Sequence, residues 1–268
     1  MKRLKTNRVV LHVLLVAMIL AVSGFAAMEV TKYNVHQEDR PRPPVVTPPQ
    51  QFGQPPSDAI VLFDGKNLDK WQKGNQAPTW EINEEEGYAR VRGGSIQTRD
   101  QFGSCQLHVE WRIPEGIPAN KKGQSRSNSG VFLMDRYEVQ VLDSYTDDDY
   151  KTNSTYADGQ AGAIYGSHPP MVNACRPAGQ WQTYDIAFMK PLFDESGKCI
   201  RKAMITLYHN GVCVHNNLPI EGTTFHKQKA RYEGAHEKGH IQLQDHGNPI
   251  CFRNIWIREL PEEPYLIK

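Results

Sequence analysis

The chain consists of many short runs in which apolar and polar residues alternate, and no stretch carries the period of a long helix. The runs over 105–113 and 181–188 alternate cleanly, and the Asn210-Gly211 pair joins two further runs with residues suited to a tight hairpin turn. Short strands separated by Gly, Pro and Asn turns are typical of β-sandwiches. The sequence therefore predicts an all-β fold of two sheets.

The first 27 residues predict a signal peptide or an N-terminal anchor. Four basic residues lie within the first eight, an apolar run follows over 9–22, and small residues occupy most of 23–27. The apolar run is close to the length of a membrane span, so cleavage of the segment and its retention as a membrane tether both remain open. Either outcome predicts an exported protein that is periplasmic, associated with the cell envelope or extracellular.

Residues 28–58 form a predicted Pro-rich linker with seven prolines between positions 41 and 56. Such a segment is stiff and extended and suits a tether, although a disordered leader without a role fits equally well. Residues 59–268 remain for the main domain, which is long enough to enclose one sizeable core.

Composition argues against a nucleic-acid partner and against a metal site formed by the cysteines. The formal net charge is +1 and no basic stripe with interleaved aromatics occurs, which argues against a nucleic-acid partner. The five cysteines show no metal-ligand spacing, and their odd number leaves at least one thiol free unless it pairs between chains. We assign no disulfide, but Cys199 and Cys213 flank a predicted hairpin and form the most plausible pair.

The run 136–144 is the strongest candidate for a functional strand. Because side chains alternate between the faces of a strand, Glu138 and Gln140 share one face and the apolar residues between them share the other. A bulge after Gln140 would return Asp143 to the polar face. Two nearby carboxylates in a sugar-sized groove suit glycosidic-bond chemistry, whereas the alternative is an ordinary solvated strand face.

Three long irregular stretches accompany these strands, over 114–129, 144–174 and 222–240. Long loops in a compact domain are usually functional or mobile. The second stretch is rich in tyrosine, whose ring is well suited to stacking on sugars.

An ordered set of motifs between about residue 60 and residue 260 resembles the 3-keto-disaccharide hydrolase domain family. The motifs are Phe63-Asp64-Gly65-Lys66-Asn67-Leu68 with Trp71, Ser127-Asn128-Ser129-Gly130, Tyr137 to Ser144, Gly162-Ala163-Ile164-Tyr165, Gly179-Gln180-Trp181, Asn210-Gly211-Val212, Leu243 to Gly247, and Phe252 to Trp256. The resemblance implies a concanavalin-like jelly-roll sandwich of two curved antiparallel sheets, with a ligand groove on the concave sheet. It also implies glycoside substrates oxidised to a ketone at C3, and hence a separate sugar 3-oxidoreductase that makes them.

The spacing Glu138-x-Gln140-x-x-Asp143 also looks like the Glu-x-Asp-x-x-Glu strand of laminarinase-type hydrolases. It departs from that pattern because Gln replaces the middle carboxylate and Asp replaces the last Glu. Standard retaining hydrolysis needs a nucleophile and an acid at a set separation, so the departure weakens the case for that mechanism.

A ketone at C3 allows different chemistry, because the carbonyl acidifies the C2 proton. A base can remove that proton, the enolate can expel the C1 substituent, and water can then add. We predict acid/base roles for Glu138, Asp143 and His246, without dividing the roles among them. The residues predicted to bind substrate are Asn128, Gln140, Tyr165, His168, Gln244 and Arg253.

Other interpretations remain open at this stage. His246 precedes a glycine and would also suit a turn, Asp245 would suit bracing a loop, and Arg253 would suit pairing with a buried carboxylate. No cofactor is firmly predicted, although a His/carboxylate cluster could hold a divalent metal ion that polarises the ketone. The rival functions are a lectin-like carbohydrate-binding module and an ordinary hydrolase of unoxidised glycans.

Overall fold

Almost every regular element among the described residues is a β-strand, as the short alternating runs predict. The computed structural model describes residues 34–39, 42–116, 121–146 and 153–261, so the predicted signal or anchor over 1–27 lies outside the described residues. The strands are β1 (Ile60–Phe63), β2 (Trp71–Gln72), β3 (Glu81–Asn83), β4 (Tyr88–Arg90), β5 (Ile96–Thr98), β6 (Cys105–Arg112), β7 (Ser129–Leu133), β8 (Tyr137–Val141), β9 (Trp181–Met189), β10 (Leu192–Phe193), β11 (Cys199–Arg201), β12 (Met204–His209), β13 (Val212–Pro219), β14 (Gln242–Leu243) and β15 (Cys251–Glu259). Short 3-10 helices span Gly123–Ser125 and Ala157–Gly159. Within the described ranges, no helix has the length and apolar character needed to cross a membrane.

The strands form two main antiparallel sheets. The larger sheet has eight strands in the order β13-β12-β9-β6-β15-β4-β3, with β1 also pairing with β15. The smaller sheet has five strands in the order β2-β5-β14-β7-β8, and β10 pairs with β11 in a separate ribbon. This arrangement confirms the all-β, concanavalin-like jelly-roll sandwich expected from the sequence.

The core lies between the two sheets and is filled by large aromatic and branched side chains. Trp111, Tyr184 and Phe188 contribute from the larger sheet, and Tyr137 and Val139 contribute from β8. Burial of such aromatics supplies a large part of the hydrophobic stabilisation. On β8 the apolar residues point into the core, so the alternating residues Glu138 and Gln140 must point to the opposite face.

The second half of the predicted linker packs on the domain. One compact unit spans Val45–Glu262, so it includes residues 45–58. Thr47 and Ser57 close a loop by two hydrogen bonds of 2.9 and 3.1 Å. At the tip of this loop the Gly53 carbonyl accepts 2.8 Å hydrogen bonds from Trp256 Nε1 and Asn254 Nδ2. Residues 34–39, outside this unit, contain turns, and residues 42–44 have no regular secondary structure.

The candidate disulfide between Cys199 and Cys213 is wrong, because all five cysteines are free thiols. Cys213 lies in the predicted hairpin of β12 and β13, but Cys199 lies in β11, which pairs with β10 in the separate ribbon. The two residues therefore do not face each other across one hairpin.

Candidate functional site

A cavity of about 430 Å³ lies on the outward face of the five-stranded sheet. Its volume is within the usual range for small-ligand sites. The residues that line it are Asn128, Phe132, Glu138, Gln140, Tyr165, Thr224, His226, Gln244 and His246. The cavity therefore brings five other predicted site residues together with Glu138, namely Asn128, Gln140, Tyr165, Gln244 and His246.

Strand register explains the floor of the cavity. In the antiparallel pair of β7 and β8, Gly130 lies opposite Gln140 and Phe132 lies opposite Glu138. Residues directly opposite each other in a sheet share a face. The backbone N–H of Gln244, just beyond β14, donates a 2.9 Å hydrogen bond to the Gly130 carbonyl, which brings a third strand into the same row.

Three loops supply the walls, one from each irregular stretch of the sequence. Asn128 lies near the end of the first stretch, Tyr165 lies in the second, and Thr224 and His226 lie in the third. The second loop is fixed to the edge of β8 because the Tyr165 N–H donates to the Glu138 carbonyl at 3.2 Å. The third is fixed because Thr224 Oγ1 accepts from the Glu138 N–H at 3.1 Å.

Glu138 is the most unusual group in the cavity. The residue is only 5% exposed. Within the described part of the chain, its carboxylate forms no hydrogen bond or ion pair. Burial alone raises the pKa of Glu138 to about 8. A carboxyl group with a pKa near neutrality in a cavity is a candidate for proton transfer.

The glycine opposite Gln140 leaves room for this carboxylate. A Cβ at Gly130 would lie 2.6 Å from Glu138 Oε1 and 3.0 Å from the Phe132 ring. Both distances are shorter than normal contacts, so any larger residue at this position would displace the Glu138 side chain.

Because Glu138 is the predicted acid/base residue, we expect Gly130→Ala to lower kcat/KM for the predicted glycoside cleavage by about 10- to 100-fold while the fold is retained, since a small displacement of such a group is costly in rate. The clash is with the flexible end of a side chain, so the loss of stability should be small. Gly103→Ala is the matched control outside the cavity lining, because its Cβ would also make tight contacts, at 3.2 Å from the Glu237 carbonyl oxygen and 3.3 Å from Lys190 Cδ. Equal activity of Gly130→Ala and Gly103→Ala would contradict this role of Gly130.

The other two predicted acid/base residues occupy different settings. His246 is exposed at the cavity rim, in the bend before Gly247. Asp143 lies beyond the end of β8, is fully buried, and pairs with Arg126 at a distance of 2.7 Å between Asp143 Oδ2 and Arg126 Nε. The structure therefore does not bring Asp143 to the cavity, and no bulge returns it to the face of Glu138.

Two of the predicted binding residues also lie away from the cavity lining. Arg253 belongs to β15 of the larger sheet, where its Nε donates to Glu110 Oε2 at 2.6 Å and its guanidinium stacks 4.0 Å from the Trp181 ring centroid. His168 follows the turn after Tyr165 and contacts Ser167 Oγ through Nδ1 at 2.8 Å. Arg253 and His168 therefore do not line the cavity that holds Glu138, and their predicted role in binding substrate stays a prediction.

Asp245 braces the loop that carries His246. Its two carboxylate oxygens accept from the N–H groups of Gly94 and Gly247 at 2.7 and 2.8 Å. Its own N–H donates to Ser95 Oγ at 2.9 Å. These bonds link the rim of the cavity to the backbone and side chain of residues 94–95.

Tyr165 is held as a neutral hydrogen-bonding group. Its hydroxyl lies 2.6 Å from the hydroxyl of Tyr156 and 3.5 Å from Nδ1 of His226. Burial, followed by the hydrogen bond with Tyr156, raises the pKa of Tyr165 above its usual value. The phenol therefore remains protonated and can contact a sugar hydroxyl or ring.

Sequence reasoning missed Phe132, Thr224 and His226. Phe132 could have been found from the pairing of β7 with β8, since it lies directly opposite Glu138. Thr224 and His226 reach the cavity only through loop contacts such as the 2.8 Å bond from the Thr224 N–H to the Arg136 carbonyl. No local sequence pattern reports such a contact.

Residues 58–258 match the family described as the 3-keto-alpha-glucoside-1,2-lyase-like domain. The chain belongs to this family. A 3-keto-disaccharide hydrolase of Bacteroides thetaiotaomicron is 24% identical over 248 residues, covering 75% of this chain and 78% of the relative. This family membership confirms the resemblance noted in the sequence.

Solved structures of relatives have the same fold. A crystal structure of a candidate glycosyl hydrolase from Parabacteroides distasonis is 41% identical, with a TM-score of 0.75, and the match covers 88% of this chain and 99% of that one. A second candidate glycosyl hydrolase from the same organism has a TM-score of 0.52 at 18% identity, covering 76% of this chain and 94% of that one.

Proposed function

We propose that this chain is an exported enzyme that cleaves glycosides carrying a ketone at C3 of the sugar, by elimination across C1 and C2 followed by hydration. The family and the relatives named as hydrolases support a function of the glycoside hydrolase type. The observation that carries the finer proposal is the buried carboxylate of Glu138, which has no partner among the described residues and lies in a sugar-sized cavity.

The reaction balances as a net hydrolysis. The C3 carbonyl stabilises the enolate that forms when a base takes the C2 proton. The enolate then re-forms the C3 carbonyl, a C1–C2 double bond appears, and the C1–O bond breaks as the leaving oxygen takes a proton. Water finally adds at C1, and a proton returns to C2.

Glu138 is the base in this proposal. It is the only carboxylate among the described residues that line the cavity, and its pKa of about 8 matches proton transfer near neutral pH. Its isolation from hydrogen-bond donors also leaves both oxygens available to a substrate proton. Asp143, which was predicted to share the acid/base work, is assigned instead to holding Arg126.

His246 and His226 are the proposed partners of Glu138. Both line the cavity from exposed loop positions, where a ring N–H can donate to the leaving oxygen or to the enolate oxygen. His246 was predicted from the sequence, and His226 joins it from the third loop.

A divalent metal ion remains a separate hypothesis. Among the described residues, no group of three or more His, Cys, Asp or Glu side chains is arranged to hold a metal. Glu138, His226 and His246 are the cavity residues that would have to provide ligands, and a bound ion would polarise the ketone. A chelator arm in the assay tests this hypothesis.

The substrate requires a preceding oxidation. A glycoside with a C3 ketone must come from an oxidoreductase that removes two hydrogens from C3 of the parent sugar, so such an enzyme is the proposed pathway partner. The basic and apolar residues that open the chain support export, with or without a membrane tether.

We expect the full chain to cleave a 3-keto-glucoside and to leave the unoxidised parent intact, as followed by mass spectrometry with and without chelator. Loss of cleavage with chelator would add a metal to the mechanism. Cleavage of the parent alone would contradict the proposal in favour of ordinary hydrolysis. Binding of both compounds without cleavage would favour the lectin-like alternative.

A further inference from the structure

Gln140 lines the cavity and carries a buried hydrogen-bond acceptor that has no partner. The residue is fully buried, lines the cavity, and has no hydrogen-bond partner for Oε1. Its Nε2 donates at 3.0 Å to both Gln124 Oε1 and Asn128 Oδ1. The two hydrogens of the amide are thus used, and the unpaired oxygen is left for a ligand.

A chain of amides fixes this orientation. Gln124 Nε2 donates to the Gly159 carbonyl at 2.9 Å, and a carbonyl oxygen can only accept. Gln124 must therefore turn Oε1 toward its other neighbours. Asn128 Nδ2 donates to that Oε1 at 3.1 Å and to the Gln124 backbone carbonyl at 2.9 Å.

The consequence is that Gln140 cannot turn without losing its two strongest hydrogen bonds. Turning would bring its oxygen against the oxygens of Gln124 and Asn128. An unpaired acceptor in a buried position costs free energy until a donor reaches it. Gln244 Oε1 is a second buried acceptor without a partner on the same cavity floor.

A sugar hydroxyl and a ketone differ in whether they can satisfy such an acceptor. A hydroxyl group can donate a hydrogen bond to Gln140, whereas a ketone oxygen has no hydrogen to donate. A site built for a donor rejects an analogue that lacks it much more strongly than a site that relies on shape alone.

We propose that Gln140 is a specificity-determining residue that accepts a hydrogen bond from a hydroxyl group of the sugar ring. Gln124 is the positioning residue that fixes the orientation of the Gln140 amide. This inference rests on the proposed function. It predicts that the ring binds with a hydroxyl-bearing carbon over Gln140 and with the ketone carbon elsewhere. The site would thereby distinguish the position of the ketone on the ring.

The test measures binding by calorimetry to the full chain. The ligands are a 3-keto-glucose C-glycoside, whose carbon-linked C1 substituent cannot leave, and its analogues with fluorine replacing the hydroxyl at C2, C4 or C6. Fluorine is similar in size to a hydroxyl group but cannot donate a hydrogen bond. The variants are Gln140→Met and Gln124→Leu, with Gln106→Leu on β6 of the other sheet as the matched control.

We expect fluorination at one of these positions to weaken binding to the unmodified chain and to Gln106→Leu by about 10- to 100-fold. In Gln140→Met the same substitution should weaken binding by less than about threefold, because no acceptor remains. In Gln124→Leu the fluorine effect should be smaller than in the unmodified chain, because one of the two bonds that orient the Gln140 amide is lost. A purely structural defect would weaken all ligands alike and leave this ratio unchanged. Thermal unfolding of each variant identifies any that fail to fold.

The outcomes separate this inference from the proposed function. Equal binding of all four ligands to the unmodified chain, or a fluorine effect that persists in folded Gln140→Met, would overturn the inference. A Gln140-dependent fluorine effect without cleavage of any 3-keto-glucoside would support the inference and overturn the proposed reaction. Absence of binding by every ligand would overturn both.

Discussion

Glu138→Gln should lower kcat on a 3-keto-glucoside by about 10²- to 10⁴-fold, the range attributed to a positioned general base. The substitution keeps the size of the side chain and removes its ability to take the C2 proton. Substrate binding should change much less, because the amide still fits the cavity. Steady-state kinetics measures both effects, and Gln106→Leu serves as a control on the other sheet.

The pH dependence of the same reaction reports the protonation state of Glu138. Because burial raises its pKa to about 8, kcat/KM should rise with pH and level off above about 8 if Glu138 acts as a base. A decline through the same range would indicate that the protonated form acts as an acid. Loss of this transition in Glu138→Gln would assign it to this residue.

As pH rises, the stability of the unmodified protein should fall, whereas its activity should rise. A folded-state pKa raised from 4.5 to about 8 means that the contribution of Glu138 to stability is fully present below about pH 4.5 and is lost as pH rises through 8. Glu138→Gln should therefore melt above the unmodified protein at about pH 9 and close to it near about pH 4. A lower melting temperature for the variant at alkaline pH would contradict the account of an unpartnered, buried carboxylate.

Asp143→Ala should reduce the free energy of unfolding by about 3–5 kcal/mol, the range for breaking one side of a buried ion pair. Asp143 is fully buried, and Asp143→Ala would remove both its ion pair with Arg126, with 2.7 Å between Oδ2 and Nε, and the 3.3 Å hydrogen bond that its Oδ1 accepts from the Tyr145 N–H. The measurement is chemical denaturation of the variant beside the unmodified chain.

Activity separates this structural role from a catalytic one. Folded Asp143→Asn, which keeps the side-chain volume, should retain kcat within about tenfold because Asp143 does not line the cavity. A loss as large as that of Glu138→Gln, in a variant with an unchanged melting curve, would return Asp143 to the acid/base group.

The predictions that succeeded rest on a periodicity that local structure enforces. Alternation on β8 correctly predicted that Glu138 and Gln140 lie on the opposite face from Tyr137 and Val139. A strand has only two faces, and one face of β8 packs against the core. The same reasoning depends on knowing where a strand ends. Since β8 ends at Val141, the direction of the Asp143 side chain is set by the loop backbone and not by strand alternation.

The differences between the expected and the observed cavity lining come from contacts between elements distant in sequence. Arg253 has the right chemistry for a sugar, but β15 belongs to the larger sheet, and Glu110 on β6 is its partner there. Conversely, His226 reaches the cavity because its loop is anchored beside β8. Sheet membership and loop anchoring are tertiary properties, so residue type and spacing alone do not predict them.

The most direct test of base-led elimination is to run the cleavage in D₂O and examine the sugar product by mass spectrometry and NMR. Removal of the C2 proton followed by hydration should leave one carbon-bound deuterium at C2, and Glu138→Gln should form almost none of this product. The intact product incubated with enzyme in D₂O controls for exchange after cleavage. Rapid cleavage by the unmodified chain with only hydrogen at C2 would contradict the account.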